Sequence, residues 1–193
     1  VFVIDILPYL WRVLYKYPFG STISLCDVGP GSGYGTELIG ALHKGFLGWK
    51  INVTAVDIKD SYSLYKQLFH RYYEFRMQDI FSETMKNESF DFVYCSHVIE
   101  HVKEPRRFVS RLQELCKDTV FLVAPYKENG EMITPGHINI FDQTFINLLQ
   151  PCLDDCEVNR QRLFVSIHIP RNVQVVSVSL DVVMTCKKGV FLN

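Results

Sequence analysis

The chain lacks several features that mark whole classes of protein. It has no long basic run, and its 20 Lys and Arg nearly balance its 21 Asp and Glu, for a net charge of −1. A broad nucleic-acid surface is therefore not favoured, since such surfaces cluster positive charge. Arg106, Arg107 and Arg111 form only a small basic cluster on a predicted helix. No repeat, linker or low-complexity stretch divides the 193 residues, so one α/β domain is expected.

Long apolar runs and paired cysteines are also missing. No segment stays apolar over the roughly 20 residues that a membrane-spanning helix needs. The apolar N-terminus contains Asp5 and Pro8 and has no basic leader, so we expect neither a membrane anchor nor a signal peptide. The six cysteines form no compact disulfide framework, and Cys152 and Cys156 lack the second pair of a zinc site. We therefore predict reduced thiols and a cytoplasmic location.

Apolar spacing predicts strands that alternate with helices, which is typical of a parallel sheet covered by helices on both faces. We expect a single domain over residues 1–193, with an N-terminal helix within 1–19, a ligand-binding core over 20–150 and a closing hairpin within 151–193. The predicted strands cover 23–27, 51–57, 72–78, 90–95, 119–124, 163–169 and 173–185, and the predicted helices cover 4–15, 36–44, 63–70, 105–116 and 143–149.

The stretch over residues 24–39 carries the most chemical information. An apolar run ends in Asp27, a glycine-rich turn follows, and Leu38 and Ile39 indicate a helix. This arrangement lets a ligand approach the backbone at the positive end of a helix. Tyr34 stands where the dinucleotide loop G-x-G-x-x-G has its last glycine, and Asp27 would repel a pyrophosphate and attract an amino group. A nicotinamide oxidoreductase is therefore not predicted.

The segment Asp27-x-Gly29-x-Gly31-x-Gly33 resembles motif I of the class I S-adenosylmethionine (SAM)-dependent methyltransferases. The resemblance implies SAM as cofactor, with the acid and the glycine loop, including Tyr34, around its methionine part. It also implies a Rossmann-like, seven-stranded, mostly parallel sheet with an antiparallel C-terminal hairpin. The residues leave one alternative open, an ordinary glycine-rich turn between a strand and a helix.

Acidic residues also follow the next two predicted strands. Asp57 ends the second strand, where a carboxylate accepts hydrogen bonds from ribose hydroxyls, and Ile58 is expected to pack on adenine. The resemblance implies that Asp79 accepts from the adenine amino group and that Ile80 lies over the ring. Each aspartate alone also fits a turn. Three acids at adjacent strand ends would converge on one crevice at the carboxyl edge of the sheet.

The segment from Phe90 to Pro105 closely resembles a second block of these methyltransferases. An apolar strand ends in a short polar segment, and an apolar pair, Glu100-His101 and a helix-opening proline follow. The resemblance implies that Cys95 and Ser96 lie beneath the methionine end of the cofactor. It also brings His97 close to the acceptor.

The same block raises the question of a metal. Small-RNA 3′-terminal 2′-O-methyltransferases use a similar Glu-x-x-Glu-His segment and a distant histidine to bind a divalent metal. His97 replaces the first glutamate here, and the distant candidate His137, with Phe141, also matches the generic subgroup, which needs no metal. We therefore predict no metal ligand.

The leading hypothesis is methyl transfer from SAM to a small-molecule or sugar-like acceptor. Such a displacement depends mainly on alignment and exclusion of water, and a base is needed only when the acceptor must lose a proton. Neutral histidine is available near physiological pH, so His97 and His137 are the catalytic candidates. Tyr126 and Met132 are predicted to line the acceptor pocket.

Two alternatives remain open from the sequence. One is a metal-assisted RNA 2′-O-methyltransferase. The other is a catalytically silent, methyltransferase-like module that binds a partner, with Trp11, Tyr15 and Tyr17 near the N-terminus as its interface or as the stub of a longer polypeptide. No sequence feature identifies the acceptor atom or the oligomeric state.

Overall fold

A computed structural model describes residues 3–42, 48–60, 73–125, 135–149, 156–169 and 172–187. Several predictions fall outside these ranges: the helix over 63–70, the pocket residues Tyr126 and Met132, and the thiol of Cys152.

Five parallel strands form the centre of the fold, and they confirm the predicted α/β class. Their order across the sheet is β3-β2-β1-β4-β5, and each neighbouring pair runs parallel. Two C-terminal strands follow, β6 and β7, which pair antiparallel with each other, and β7 pairs antiparallel with β5. The strands are β1 Thr22–Val28, β2 Lys50–Asp57, β3 Tyr73–Met77, β4 Phe90–Ser96, β5 Cys116–Pro125, β6 Cys156–Ile169 and β7 Asn172–Lys187.

Helices cover both faces of this sheet. Along β5, Leu122 packs into one core cluster and its neighbour Phe121 into the other, because successive strand side chains point to opposite faces. Burial on both faces explains why β5 is apolar without interruption from Val120 to Ala124. Helices α1 and α2 pack on the cluster of Phe121, and α3 and α4 pack on that of Leu122. The helices are α1 Val3–Leu14, α2 Tyr34–Leu42, α3 Pro105–Leu115 and α4 Gln143–Leu149, with 3-10 turns at Glu83–Met85 and Ile99–His101.

Some element boundaries differ from the predictions. Helix α2 begins at Tyr34, two residues before the predicted start, because the turn closes at Gly33, whose carbonyl accepts the first helical hydrogen bond from the Glu37 N–H. Strand β5 begins at Cys116, directly after α3. Tyr15, the last residue of the predicted helix over 4–15, lies just beyond the end of α1 at Leu14 and is 64% exposed.

Two composition-based expectations bear on these elements. Among the helices that the structure describes, none combines the length and the apolar character needed to cross a bilayer. Cys26, Cys95 and Cys116 are free thiols in the core.

The strand order places a crevice at one edge of the sheet. From β1 the chain moves outward through β2 and β3, and it then returns to the other side of β1 as β4. The order therefore reverses between β1 and β4, and ligands of open α/β sheets bind beyond the carboxyl ends of the strands at such a point.

Candidate functional site

A cleft of about 660 Å³ opens at the carboxyl ends of β1 and β4, where the strand order reverses. Its walls come from the glycine loop after β1, the first turns of α2 and the end of β4. The described lining residues are Asp27, Gly29, Pro30, Gly31, Ser32, Tyr34, Gly35, Leu38, Tyr94, Ser96 and His97.

The glycine loop is pressed against the segment that follows β4. Gly29 has φ 73°, and its N–H donates to the Val56 carbonyl at 2.9 Å. A Cβ on Gly29 would lie 2.3 Å from Cγ2 of Val98, so a side chain there meets both a clash and an unfavourable dihedral. Gly31, with φ 55°, faces open space. The absence of a side chain at Gly29 therefore allows the segments that follow β1 and β4 to lie this close together.

Asp27 places a carboxyl group in a buried wall of the cleft. Only 2% of the residue is exposed, and the Thr36 hydroxyl donates to its Oδ2 at 2.5 Å. Burial raises the pKa of Asp27 to about 7; the hydrogen bond from Thr36 opposes the rise and the nearby Asp57 charge adds to it. A cationic group entering the cleft would stabilise the ionised form.

The N-terminus of α2 borders the same cleft. Tyr34 is the first residue of the helix and is 53% exposed, and Leu38 lies one turn further on. Gly33 has φ 76° and donates its N–H to the Pro30 carbonyl at 2.9 Å, so it shapes the turn without lining the cleft. The partial positive charge of the helix end therefore lies beside the cleft.

Strand alternation decides which residues of β4 reach the cleft. Tyr94 and Ser96 line it. Cys95 lies between them, is fully buried in the opposite core cluster and is not among the lining residues, although the resemblance places it beneath the cofactor. His97 has φ 55°, which is rare for a residue with a side chain, and its N–H donates to the Val123 carbonyl at 2.9 Å. Its Nδ1 lies 2.9 Å from the Ser96 hydroxyl.

The other two aspartates lie at the same edge of the sheet but do not line the cleft. Asp57 ends β2, and its carbonyl accepts a hydrogen bond from the N–H of Gln78, the residue directly before Asp79. The Oδ1 atom of each aspartate accepts a backbone N–H two residues on, from Lys59 at 3.0 Å and from Phe81 at 2.9 Å. The turn alternative is thus present at both positions, beside the strand-end placement that the sequence predicts.

The two predicted adenine contacts differ from each other. The Ile58 residue is 68% exposed next to Asp57. Ile80 is only 5% exposed because it packs in the core cluster against which α3 lies. The resemblance implies that its side chain lies over the adenine ring, and the buried side chain does not face that way.

A second group of side chains comes together beside the cleft. Glu100 is fully buried, and its Oε1 lies 4.0 Å from Nε2 of His137. The His137 and His101 rings are 4.7 Å apart. Burial raises the pKa of Glu100, and His97, His101 and His137 counteract this rise. The structure therefore brings both catalytic candidates close to Glu100, although His137 is not among the described residues that line the cleft.

Sequence reasoning missed several residues of the cleft. Tyr94 lies two residues before Ser96, and Leu38 lies four residues after Tyr34, so the strand and helix periods would have found both. The hydrogen bond from Thr36 to Asp27 has no comparable signal, since it depends on how α2 packs on β1.

Comparisons with known proteins agree with this geometry. No curated protein sequence matches the chain. ChlM, the magnesium protoporphyrin IX methyltransferase from Synechocystis PCC 6803 with bound SAH, has a TM-score of 0.65 at 14% identity, covering 97% of this chain and 81% of its own. The YcgJ protein from Bacillus subtilis has a TM-score of 0.63 at 12% identity, covering 93% and 97%. A SAM-dependent methyltransferase from Aquifex aeolicus has a TM-score of 0.59 at 15% identity, covering 91% and 88%.

At these identities the structural likeness shows a shared fold. The family is shown by the sequence itself, since a family model described as a methyltransferase domain matches residues 3–149, which is most of the chain. The cleft lies at the reversal of strand order, which is where open α/β sheets bind their ligands. The chain therefore belongs to the methyltransferase-domain family and is a class I methyltransferase with SAM as its cofactor.

Proposed function

We propose that SAM lies across the carboxyl ends of β1, β2 and β3, with its methionine part in the cleft, and that its methyl group passes to a small-molecule acceptor. The observation that carries this proposal is the buried carboxyl of Asp27 in the wall of a cleft formed by a glycine loop. A buried acid without a cation nearby is costly, and the amino group of SAM is the matching charge.

Five residues at or beside the cleft support the placement of the methionine part. Gly29 and Gly31 let the ligand approach the backbone, and Gly33 closes the turn that positions the helix end. Tyr34 and Ser96 both line the cleft and would offer hydroxyl groups to the ligand. The sulfonium would then lie near His97, at the end of β4.

The adenosine half would lie along the ends of β2 and β3. There the carboxylate of Asp57 would accept hydrogen bonds from the ribose, and the exposed side chain of Ile58 would cover the adenine ring. Asp79 is exposed at the next strand end and is the proposed acceptor for the adenine amino group. Ile80 would support this turn from the core, and Cys95 would support the floor of the cleft in the same way.

Catalysis would depend mainly on holding the acceptor in line with the methyl group. His97 is the proposed base for an acceptor that must lose a proton, because it lines the cleft and its Nδ1 is within hydrogen-bond distance of the Ser96 hydroxyl. His137 is the second candidate, near the acidic side chain of Glu100.

The hydrogen bonds of the small basic cluster, Arg106, Arg107 and Arg111, favour a small-molecule acceptor over RNA. Every arginine of that cluster donates hydrogen bonds within the chain, which leaves it poorly placed to follow a phosphate backbone. The acceptors are the Leu148 carbonyl for Arg106, the Glu104 carboxylate for Arg107, and the Ile80 and Met85 carbonyls with the Glu114 carboxylate for Arg111.

The proposal treats residues 1–193 as one seven-stranded domain that the antiparallel pair β6 and β7 closes. The backbone pairing of β7 with β5 supports this arrangement. A cytoplasmic site of action is proposed with it, and the free, buried thiols of Cys26, Cys95 and Cys116 support a reducing compartment.

Transfer of a labelled methyl group tests the acceptor class. The protein would be incubated with SAM labelled at the methyl group and with either the small-molecule or the RNA fraction of a cell extract. We expect label in the small-molecule fraction, in an amount that grows with enzyme concentration. Label in RNA alone would instead establish the RNA methyltransferase, and binding of SAH without transfer to either fraction would favour the silent module.

A further inference from the structure

The 3-10 turn after β4 is clamped to the segment before α4. The backbone N–H groups of Ile138 and Asn139 donate to the Glu100 carbonyl at 2.8 and 3.0 Å. The Asn139 side chain donates to the carbonyls of Ile99 and Val102 at 2.9 and 2.7 Å. These four bonds fix the positions of the side chains that the two segments carry toward each other.

The Glu100 side chain is the unusual member of this junction. It is fully buried, and neither carboxylate oxygen has a hydrogen-bond partner among the described residues. A buried carboxyl group without partners costs free energy in either protonation state, because even the neutral acid must donate its O–H. A bound group that contacts both oxygens would remove this cost.

Two imidazole rings face the same space. The Nδ1 atom of His101 lies 2.9 Å from the Gly136 carbonyl, which only accepts hydrogen bonds, so Nδ1 carries the proton and the Nε2 of the neutral ring has a free electron pair. A backbone carbonyl that fixes the tautomer in this way is a common feature of metal-binding histidines. The Nε2 atom of His137 lies 4.0 Å from Glu100 Oε1.

The 4.0 Å between Glu100 Oε1 and His137 Nε2 is too long for a hydrogen bond. In an ion pair of Glu100 with protonated His137, the two atoms would lie about 2.8 Å apart. Two ligand atoms at roughly 2.0–2.2 Å from one ion lie about 3.4 Å apart in a tetrahedral site, so this pair would have to close by only about 0.6 Å to share an ion. The ligand atoms that Glu100, His101 and His137 offer all lie within 4.8 Å of one another. Small side-chain rotations would bring all three to a shared ion.

We propose that Glu100, His101 and His137 form a binding site for a divalent transition-metal ion. Two imidazole nitrogens and one carboxylate oxygen suit borderline cations such as Zn²⁺, Mn²⁺, Fe²⁺ or Co²⁺. The ion would neutralise the buried carboxylate and bind one nitrogen of each histidine, and His97 would then be the remaining candidate base. Since His97 lies near Glu100 and also lines the cleft, the site lies next to the SAM cleft and is separate from it.

Titration of the intact, untagged, chelator-treated protein with Co²⁺ and Zn²⁺ tests the site. Binding would be followed by the visible absorption of Co²⁺ and by calorimetry with Zn²⁺. We expect one ion per chain, bound about 100-fold more weakly by Glu100→Gln, since that change removes the charged ligand. Glu104→Gln is the matched control, because Glu104 lies four residues away, is exposed and pairs with Arg107; it should bind the ions as the wild type does.

Failure of the wild-type protein to bind either ion at about 1 mM would overturn the proposal, as would unchanged binding by Glu100→Gln. Should Glu100→Gln not fold, His101→Gln replaces it, because His101 is exposed and its loss does not disturb the core. Unchanged binding by that variant would equally contradict the site. SAH binding measured in parallel keeps this result distinct from the fate of the cofactor assignment.

Discussion

At the residue scale, Asp27 carries the strongest physical signature of a ligand. Its carboxyl is buried, receives a hydrogen bond from Thr36 and lies near the charge of Asp57, and its pKa is raised to about 7. A carboxyl with this pKa is half protonated near neutral pH in the free protein. An ammonium group bound beside it favours the ionised form and lowers the pKa again.

SAH binding is therefore expected to depend on pH through Asp27. Below pH 7 the free protein holds a proton on Asp27 that the ammonium of SAH must displace, so the affinity rises with pH and levels off above about 7. Between pH 5.5 and 7.5 the affinity should increase about 25-fold. Calorimetry in two buffers of different ionisation enthalpy measures both this change and the released proton.

The control for this prediction is Asp27→Asn, which keeps the size of the side chain and removes its titration. This variant should bind SAH weakly at every pH, without the rise toward pH 7. A wild-type affinity that stays constant from pH 5.5 to 7.5 would contradict the role given to Asp27.

At this scale the sequence predicts which residues lie near the cleft better than how their side chains are oriented. The glycines and Asp27 follow from spacing, because the loop chemistry allows few alternatives. The orientation of Cys95 and the burial of Ile80 do not, since each depends on strand phase or on packing against α3. The partner Thr36 becomes visible only when α2 is seen against β1.

At the scale of elements, the contact between the glycine loop and the segment after β4 holds the cleft open in one shape. Gly29 lies against Val98, which immediately precedes the 3-10 turn of Glu100. The loop, the cleft and the turn are therefore coupled through one close contact, and a side chain at Gly29 would push them apart.

Gly29→Ala should destabilise the protein more than an alanine at a glycine that only has a positive φ. The clash with Val98 adds to the dihedral strain, and we expect a loss of about 2–4 kcal/mol in the free energy of unfolding. Gly20→Ala is the matched control, since Gly20 has φ 86° and open space around it, and it should lose only about 1 kcal/mol. Urea unfolding measures both.

A second substitution separates the clash from the strain. Val98→Ala in the Gly29→Ala background makes room for the new methyl group and should restore part of the lost stability, so the two changes should be non-additive. Equal losses for Gly29→Ala and Gly20→Ala, or strict additivity with Val98→Ala, would show that the contact does not exist in solution.

The sequence locates the described central elements to within a few residues because alternation and helical spacing are strong there. The sequence does not predict the early starts of α2 at Tyr34 and of β5 at Cys116. Gly35 weakens the helix signal, and Cys116 follows α3 without a turn. Element ends depend on which backbone groups find partners, and that is settled by neighbouring elements.

At the scale of the whole molecule, the order of the strands creates the site. Asp27, Asp57 and Asp79 are far apart in sequence and reach one edge because β1, β2 and β3 are neighbours and parallel. Alternating strands and helices predict this class of sheet. They do not predict that Glu100 meets His137 from a different loop, since that junction is built by backbone hydrogen bonds to Ile138 and Asn139.

The central claim is that SAM occupies this edge of the sheet, and titration calorimetry with SAH tests it most directly. We expect one molecule bound per chain, and about 100-fold weaker binding by Asp57→Ala because the hydrogen bonds from ribose to a charged acceptor are lost. Asp60→Ala, an exposed aspartate three residues further on, should bind SAH as the wild type does. No binding at about 1 mM SAH, or equal affinity for the wild type and Asp57→Ala, would contradict the account.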